Sequence, residues 1–260
     1  MFKIACHSLT WGNYYKNGSY SIESILKDIK EAGFEGVELF EPLSKFGSPQ
    51  QLEALLDKYG LKLATLSGNL NLTSSDNKDM EEAEERIRFL NTLKVDTFML
   101  CGGWIKNPRE KSDINFERFS ERLEKLSSFA KELNVSVAYH PHLNCITETK
   151  GDIDKLFKNI KLTKLCLDTA HLTAAGSNPI EIIKKYQSEI KLIHLKDWDA
   201  KLKRFTELGA GVIGGGFWDI VEQIKFIGYE GWLVCELDET LKNPQESARI
   251  NRRFLKGIGL

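Results

Sequence analysis

Imidazole and carboxylate side chains recur at the carboxyl ends of short apolar runs in the second half of this chain. The residues at these ends include four of the five histidines and two acids: His140, His142, Asp168, His171, His194 and Glu236. A set of two imidazoles and two carboxylates offers mixed nitrogen and oxygen donors, which suit Mn²⁺, Zn²⁺, Fe²⁺ or Co²⁺ better than Mg²⁺ or Ca²⁺. We therefore predict one divalent metal ion held by four residues: His140, Asp168, His194 and Glu236.

Other side chains at the ends of apolar runs suit a sugar-like ligand. Trp11, Trp104 and Trp198 follow such ends, and His7 ends the first run. Aromatic rings in these positions either stack on the apolar face of a sugar or pack within the loops. We predict that these four residues contribute to substrate binding.

The elements that must position these residues follow a regular pattern. Eight β-rich runs alternate with amphipathic segments whose apolar residues recur three and four positions apart; the runs lie at 3–9, 36–40, 62–68, 97–103, 136–142, 164–171, 191–197 and 232–238. Strict alternation implies a parallel sheet. Eight units with no glycine-rich phosphate loop after the first strand favour a single (β/α)₈ TIM barrel domain over residues 1–260. In that architecture the active site lies at the carboxyl ends of the strands.

Bulk composition narrows the class of partner. The 260 residues include 36 basic and 37 acidic side chains, so the net charge of −1 gives no reason to expect a nucleic-acid partner. The five cysteines are odd in number and contain no CxxC pair, which is typical of buried thiols in a reducing cytoplasm. The sequence shows no signal peptide and no apolar segment long enough to cross a bilayer. We therefore expect a cytoplasmic protein with a small-molecule partner.

Several motifs resemble those of the xylose isomerase-like TIM barrel superfamily, a group that includes sugar epimerases and isomerases, inosose dehydratase, dehydroshikimate dehydratase and AP endonucleases of the family 2 type. The motifs are GFEGVELF, LCLDTAHLTAAG, KLIHLKDW, ELGAGVI and GWLVCELD. In that family Glu, Asp, His and Glu from strands five to eight hold the metal. Asp168, His194 and Glu236 match the last three positions, whereas His140 replaces the first glutamate. The resemblance also implies that His171 contacts substrate or lies just outside the ligands.

The replacement at His140 bears on the reaction. YHPH followed by ITET resembles the inosose dehydratase-like branch. The epimerases of the family use two metal-bound glutamates, and here His140 stands in the position of the first. An elimination needs only one base and one acid. We expect the catalytic groups among five residues, the first three as bases and the last two as acids: Glu38, Glu236, His142, His171 and Lys196. Glu148, in ITET, either replaces the missing carboxylate near the substrate or is a solvated loop residue.

The predicted function is therefore a metal-dependent lyase or isomerase that acts on a small polyhydroxy ketone, a sugar or an inosose, by β-elimination of water. Three alternatives remain. A ketose epimerase or isomerase would use the same site. An AP endonuclease would need more metal ligands and a basic face, and a sugar-binding barrel would need no acid–base groups. Family members often form dimers or tetramers, so the resemblance leaves a homo-oligomer open.

Overall fold

Strands and helices alternate along the chain in the computed structural model, which describes residues 2–73 and 77–260. The strands in that part of the chain are β1 (Lys3–His7), β2 (Gly36–Leu39), β3 (Lys62–Leu70), β4 (Thr97–Gly102), β5 (Ser136–Tyr139), β6 (Lys164–Asp168), β7 (Ile190–Leu195), β8 (Asp197–Asp199), β9 (Arg204–Thr206) and β10 (Trp232–Cys235). Eight of these strands form a closed barrel in the order β1-β10-β7-β6-β5-β4-β3-β2, and β8 and β9 pair as an antiparallel hairpin. The predicted TIM barrel fold is confirmed.

The α-helices follow the amphipathic segments. Their bounds are α1 (Gly12–Lys16), α2 (Ile22–Ala32), α3 (Pro49–Tyr59), α4 (Lys78–Thr92), α5 (Asp113–Glu132), α6 (Lys150–Asn159), α7 (Thr169–Ala174), α8 (Pro179–Lys185), α9 (Phe217–Phe226) and α10 (Pro244–Gly257). In α2 the side chain of Ser21 caps the first turn, and Gly33 ends the helix in the left-handed conformation. The apolar face between these caps is buried at Ile22, Ile25, Leu26 and Ile29. Across residues 2–73 and 77–260, none of the helices has the length and hydrophobicity of a membrane-crossing segment.

The chain divides into two compact units. Unit 1 comprises Met1–Thr65 and Ile193–Leu260, and unit 2 comprises Leu66–Leu192, so that β3 and β7 are each shared between them. In unit 1, β1 lies between β10 and β2, with Cys6 opposite Cys235 and His7 opposite Glu38. In unit 2, β4 lies between β3 and β5. Because neighbouring strands are parallel, the polar residues at their carboxyl ends collect at one edge of each unit.

Seven of the eight barrel strands end earlier than the sequence predicts, and β3 ends two residues later, at Leu70. β5 ends at Tyr139, so His140 and His142 lie in the following loop, and β10 ends at Cys235, one residue before Glu236. β6 ends at Asp168 and runs directly into α7, so His171 is helical. The cause lies in Asp168, whose Oδ1 accepts hydrogen bonds from the backbone N–H groups of Ala170 and His171 at 2.8 and 2.7 Å and so caps α7. The hairpin β8–β9 was not predicted.

Gly36 supplies a packing test beside the predicted site. A Cβ at this position would lie 2.5 Å from the ring of Trp232 and 3.2 Å from the Cβ of Ala5. We expect Gly36→Ala to lower the free energy of unfolding by about 1–3 kcal/mol through overpacking. Gly257→Ala is the control because the added carbon would meet open space beyond its own helix backbone, and its stability should be unchanged or slightly raised. Urea unfolding measures both variants, and equal stability of Gly36→Ala and wild type would contradict the packing described.

Candidate active site

Two buried carboxylates and two imidazoles meet at the strand ends of unit 1. His194, on β7, places its Nε2 2.9 Å from Oε2 of Glu38 and its Nδ1 2.9 Å from Oε2 of Glu236. His7, at the end of β1, places its Nε2 3.3 Å from Oε1 of Glu38 and 3.8 Å from Oε1 of Glu236. All four side chains are buried, the most accessible being Glu236 at 5% exposure. The structure thus brings together four predicted site residues: Glu38, His194 and Glu236, predicted as catalytic or metal-binding, and His7, predicted to bind substrate.

Lys196 adds a cation to this cluster. Its side chain is fully buried, and its Nζ lies 2.8 Å from Oε2 of Glu236 and 2.6 Å from Oδ1 of Asp238. The ammonium also lies 4.5 Å from the centre of the Phe205 ring, within the range of a cation–π contact. A buried ammonium is strongly unfavourable unless it is paired, and here two carboxylates and a ring surround it. Lys196 therefore compensates the charge of Glu236 and Asp238.

These contacts control the ionisation of the two glutamates. Burial alone would raise the pKa of Glu236, but the positive charges of Lys196 and His194 outweigh it and hold this pKa well below its usual value. Burial likewise opposes ionisation of Glu38, whose pKa is nevertheless lowered by His194 and His7. Both carboxylates are therefore ionised at neutral pH and are weak proton acceptors.

Asp197 organises the loop that follows the hairpin. Its carboxylate accepts hydrogen bonds from five backbone N–H groups at 2.8–3.3 Å, those of Trp198, Gly209, Gly211, Ile213 and Gly214. A Cβ on Gly211 would lie 2.4 Å from Oδ1 of Asp197, so the loop approaches the carboxylate too closely for a side chain there. Sequence reasoning gave Asp197 no role, although an acid directly after β7 and a glycine-rich run at 209–216 are a signal for such an anchor.

In unit 2, His140 and Asp168 face each other at the ends of neighbouring strands. Nε2 of His140 lies 3.5 Å from Oδ2 of Asp168, and the two residues are 2% and 1% exposed. Because Oδ1 of Asp168 caps α7, Oδ2 is the oxygen directed at His140. A buried imidazole nitrogen and a carboxylate oxygen at this separation could both serve as ligands of one metal ion. Unit 1 offers the corresponding donors on His194 and Glu236.

The backbone of Leu143 determines the tautomers of two further histidines in unit 2. Its carbonyl oxygen lies 2.7 Å from Nδ1 of His142 and can only accept, so Nδ1 carries the proton and Nε2 carries a lone pair. Its N–H donates to Nδ1 of His171 at 3.3 Å, so neutral His171 carries its proton on Nε2. The two rings lie 3.7 Å apart, centre to centre. His142 thus presents an acceptor and His171 a donor.

Trp104 lies beside this histidine pair. Its ring is 41% exposed and meets His142 edge-on at 4.8 Å between centroids. Its indole N–H donates to Oδ1 of Asn69 at 2.6 Å, which fixes the orientation of the ring. An exposed, fixed aromatic face next to a proton acceptor suits the apolar face of a sugar.

Three other residues predicted to bind substrate have different surroundings. Trp11 is fully buried and its indole N–H donates to Asp28 at 3.1 Å, so its ring is part of the core of unit 1 and offers no accessible face. Trp198 packs edge-on against Phe205 in the hairpin and remains partly exposed. The carboxylate of Glu148 pairs with Lys111 at 3.1 Å. The site proposed below therefore includes neither Trp11 nor Glu148.

Comparison with known proteins gives a consistent likeness. Residues 26–258 match the family described as Xylose isomerase-like TIM barrel. An inosose dehydratase of Lacticaseibacillus casei is 29% identical over 266 aligned residues, which cover 90% of this chain and 89% of the relative. The probable 3-DHS dehydratase AsbF of Bacillus anthracis has the same fold with a TM-score of 0.82 and 16% identity, covering 98% of this chain and 99% of that one. The IolI protein with a bound zinc atom has a TM-score of 0.79 and 19% identity. The alignment covers 99% of this chain and 98% of that one.

The pairing of Lys196 with Glu236 predicts a pH-dependent stability effect. Lys196→Met removes the ammonium from beside the buried Glu236 carboxylate and that of Asp238, so we expect a loss of about 3–5 kcal/mol at neutral pH. The depressed pKa of Glu236 means that its ionisation stabilises the wild-type fold above the pKa of the unfolded chain, and this contribution disappears as the pH falls. In the variant the carboxyl can take up a proton instead. The stability difference should therefore narrow as the pH falls towards about 4.

The control is Lys191→Met, which breaks a pair with Asp96 whose two side chains are 31% and 72% exposed. An exposed pair contributes about 0–1 kcal/mol, so this variant should match wild type closely. Denaturant unfolding at several pH values gives both differences. A Lys196→Met penalty that equals the Lys191→Met penalty, or that grows as the pH falls, would contradict the compensation described.

Proposed function

The chain belongs to the xylose isomerase-like TIM barrel family, and from that premise we propose that it is a metal-dependent lyase that removes water from a small polyhydroxy ketone. The ring ketone that we propose as substrate is an inosose, because a relative aligned over 90% of the chain is named inosose dehydratase. The five cysteines are free thiols, which suits a reaction in the reducing cytoplasm.

The donors suit one divalent ion. The proposed ligands are the four residues predicted from the sequence, His140, Asp168, His194 and Glu236, and each offers one ligand atom in a group that could hold a metal. Their mixed nitrogen and oxygen donors and their burial fit Zn²⁺, Mn²⁺, Fe²⁺ or Co²⁺. Such an ion would supply a Lewis acid that polarises the substrate carbonyl and acidifies the neighbouring C–H bond.

The observation that carries the choice of elimination is the imidazole of His140 beside Asp168. Epimerisation by two bases requires a second strong proton acceptor on the opposite face of the substrate. An imidazole nitrogen whose lone pair binds a metal cannot accept a proton. Glu38 and Glu236 are both engaged with cationic or N–H partners that lower their pKa values. Elimination needs a single base and a single acid, so it requires one base fewer than two-base epimerisation.

The histidine pair of unit 2 handles the proton in the proposal. The Nε2 lone pair of His142 takes the proton from the carbon next to the ketone and passes it to the departing β-hydroxyl, which leaves as water while the carbon–carbon double bond forms. The Nε2–H of His171 donates a hydrogen bond to that hydroxyl. Trp104 and Trp198 provide aromatic faces for the ring. Lys196 holds Glu236 and Asp238 in place and takes no part in proton transfer.

Metal content tests the ligand set. We expect about one divalent ion per chain in wild type and a clear loss in Asp168→Ala and His194→Ala, because each removes one of four donors. Asp96→Ala is the control, since it removes an exposed carboxylate whose described partners are Lys191 and the hydroxyl of Thr97, neither of them a proposed ligand. Elemental analysis of the purified variants provides the measurement. Unchanged metal content in both ligand variants would eliminate the proposed site.

Product analysis tests the reaction. Zinc- or manganese-loaded protein should convert an inosose to a dehydrated enone or its enol tautomer, seen as new ultraviolet absorbance, and chelator-treated protein should not. We expect His142→Asn to reduce the rate on the order of 10²–10⁴-fold through loss of the group that transfers the proton. Interconversion of ketose epimers with solvent deuterium uptake and no dehydrated product would favour the epimerase alternative. Metal-dependent nicking of abasic DNA would favour an endonuclease instead.

A further inference from the structure

Glu38 contacts a different imidazole with each of its carboxylate oxygens. It lies one residue before the end of β2, opposite His7, and is fully buried. Its Oε2 lies 2.9 Å from Nε2 of His194, and its Oε1 lies 3.3 Å from Nε2 of His7. An ionised carboxylate can only accept hydrogen bonds, so both nitrogens that face it must carry protons.

An independent contact gives the same tautomer for His7. The backbone N–H of Leu9 donates to Nδ1 of His7 at 2.9 Å, which leaves the ring proton on Nε2, the nitrogen that faces Glu38. Oε1 of Glu38 is therefore directed at a donor whose identity the backbone determines. The carboxylate is held in one orientation, with Oε2 left for His194.

The two nitrogens of His194 face different carboxylates. Nε2 lies 2.9 Å from Oε2 of Glu38 and Nδ1 lies 2.9 Å from Oε2 of Glu236, so without a metal both nitrogens can donate. The nitrogen that would bind a metal together with Glu236 is Nδ1, because it lies beside that proposed ligand, and the Nε2–H then stays on Glu38. Nδ1 of His194 and Oε2 of Glu236 are thus two donor atoms on the same side of the cluster. Metal-binding histidines commonly donate their other N–H to a carboxylate, which determines the tautomer and the ring orientation.

We infer that Glu38 is a positioning residue, which with His7 holds His194 in the tautomer whose Nδ1 can bind the metal, and that it does not accept a proton from substrate. This inference rests on the proposed function, because it takes His194 and Glu236 as metal ligands. In this inference His7 orients Glu38. It does not make the substrate contact that the sequence predicted.

Glu38→Gln tests the inference with little change in side-chain size. An amide has one accepting oxygen and one donating nitrogen, so it cannot accept hydrogen bonds from both His7 and His194. We expect the affinity for Zn²⁺ to fall about 10–100-fold, measured by competition with a chromophoric chelator, while the protein still folds. The control is Glu41→Gln, which alters a buried carboxylate in the same segment that accepts from Ser8 at 3.0 Å and from the N–H of Phe40 at 3.1 Å. Its Zn²⁺ affinity should be that of wild type.

Nitrogen-15 NMR of the histidine rings gives a readout that needs neither metal nor activity. In metal-free wild type, Nε2 of His194 should be protonated, and in Glu38→Gln a fraction of the rings should carry the proton on Nδ1 alone. A bare Nε2 in wild type would overturn the inference even if the variant did not fold. Glu38→Gln with wild-type Zn²⁺ affinity and lost turnover would also overturn it, because Glu38 would then act on substrate. Failure of wild type to bind Zn²⁺ would instead refute the proposed function, and the NMR result would still stand.

Discussion

The strand ends of unit 1 depend on one constraint, which is that a carboxylate removed from water must meet a cation or a hydrogen-bond donor. Glu38 meets His7 and His194, and Glu236 meets His194 and Lys196. Each partner is itself buried and would be unfavourable alone, so the groups stabilise one another only as a set. The register of β1 against β2 and β10, which places His7 opposite Glu38, is therefore coupled to the charge balance of the cluster. A strand shifted by one residue would separate these charges from their partners.

Two other buried carboxylates are satisfied by the backbone. Asp168 caps α7 with one oxygen, and Asp197 accepts N–H groups from the glycine-rich loop at 209–214. Hydrogen bonds from backbone N–H groups stabilise a carboxylate without adding a formal charge. Oδ2 of Asp168 is directed at His140. Both oxygens of Asp197 accept hydrogen bonds from its loop. Aspartate thus has two different uses at these two positions, and the local backbone determines which.

The fold could be predicted because its signal is periodic and local. Alternation of β-rich runs with amphipathic segments identifies the eight strands of the barrel, and the likeness to a known family agrees with the closed barrel. The surroundings of single residues were harder to predict, because they depend on partners distant in sequence. Trp11 has the same sequence context as an exposed aromatic residue at a strand end, but its indole N–H meets Asp28 on α2 and the ring is buried. The helical position of His171 follows from capping by Asp168, which a β-rich pattern does not show.

The proposed division of labour between His142 and His171 depends on a main-chain group, and this explains why the side-chain pattern could not assign it. Both histidines were candidates for proton transfer, but residue type alone does not say which nitrogen carries a proton. Leu143 accepts from one ring and donates to the other through its own backbone, so the two rings are held in opposite tautomers. Pro141 precedes His142 and restricts the backbone leading into this turn. Any non-proline residue at position 143 can offer the same two groups, so the chemistry depends on the path of the loop and not on the identity of its side chain.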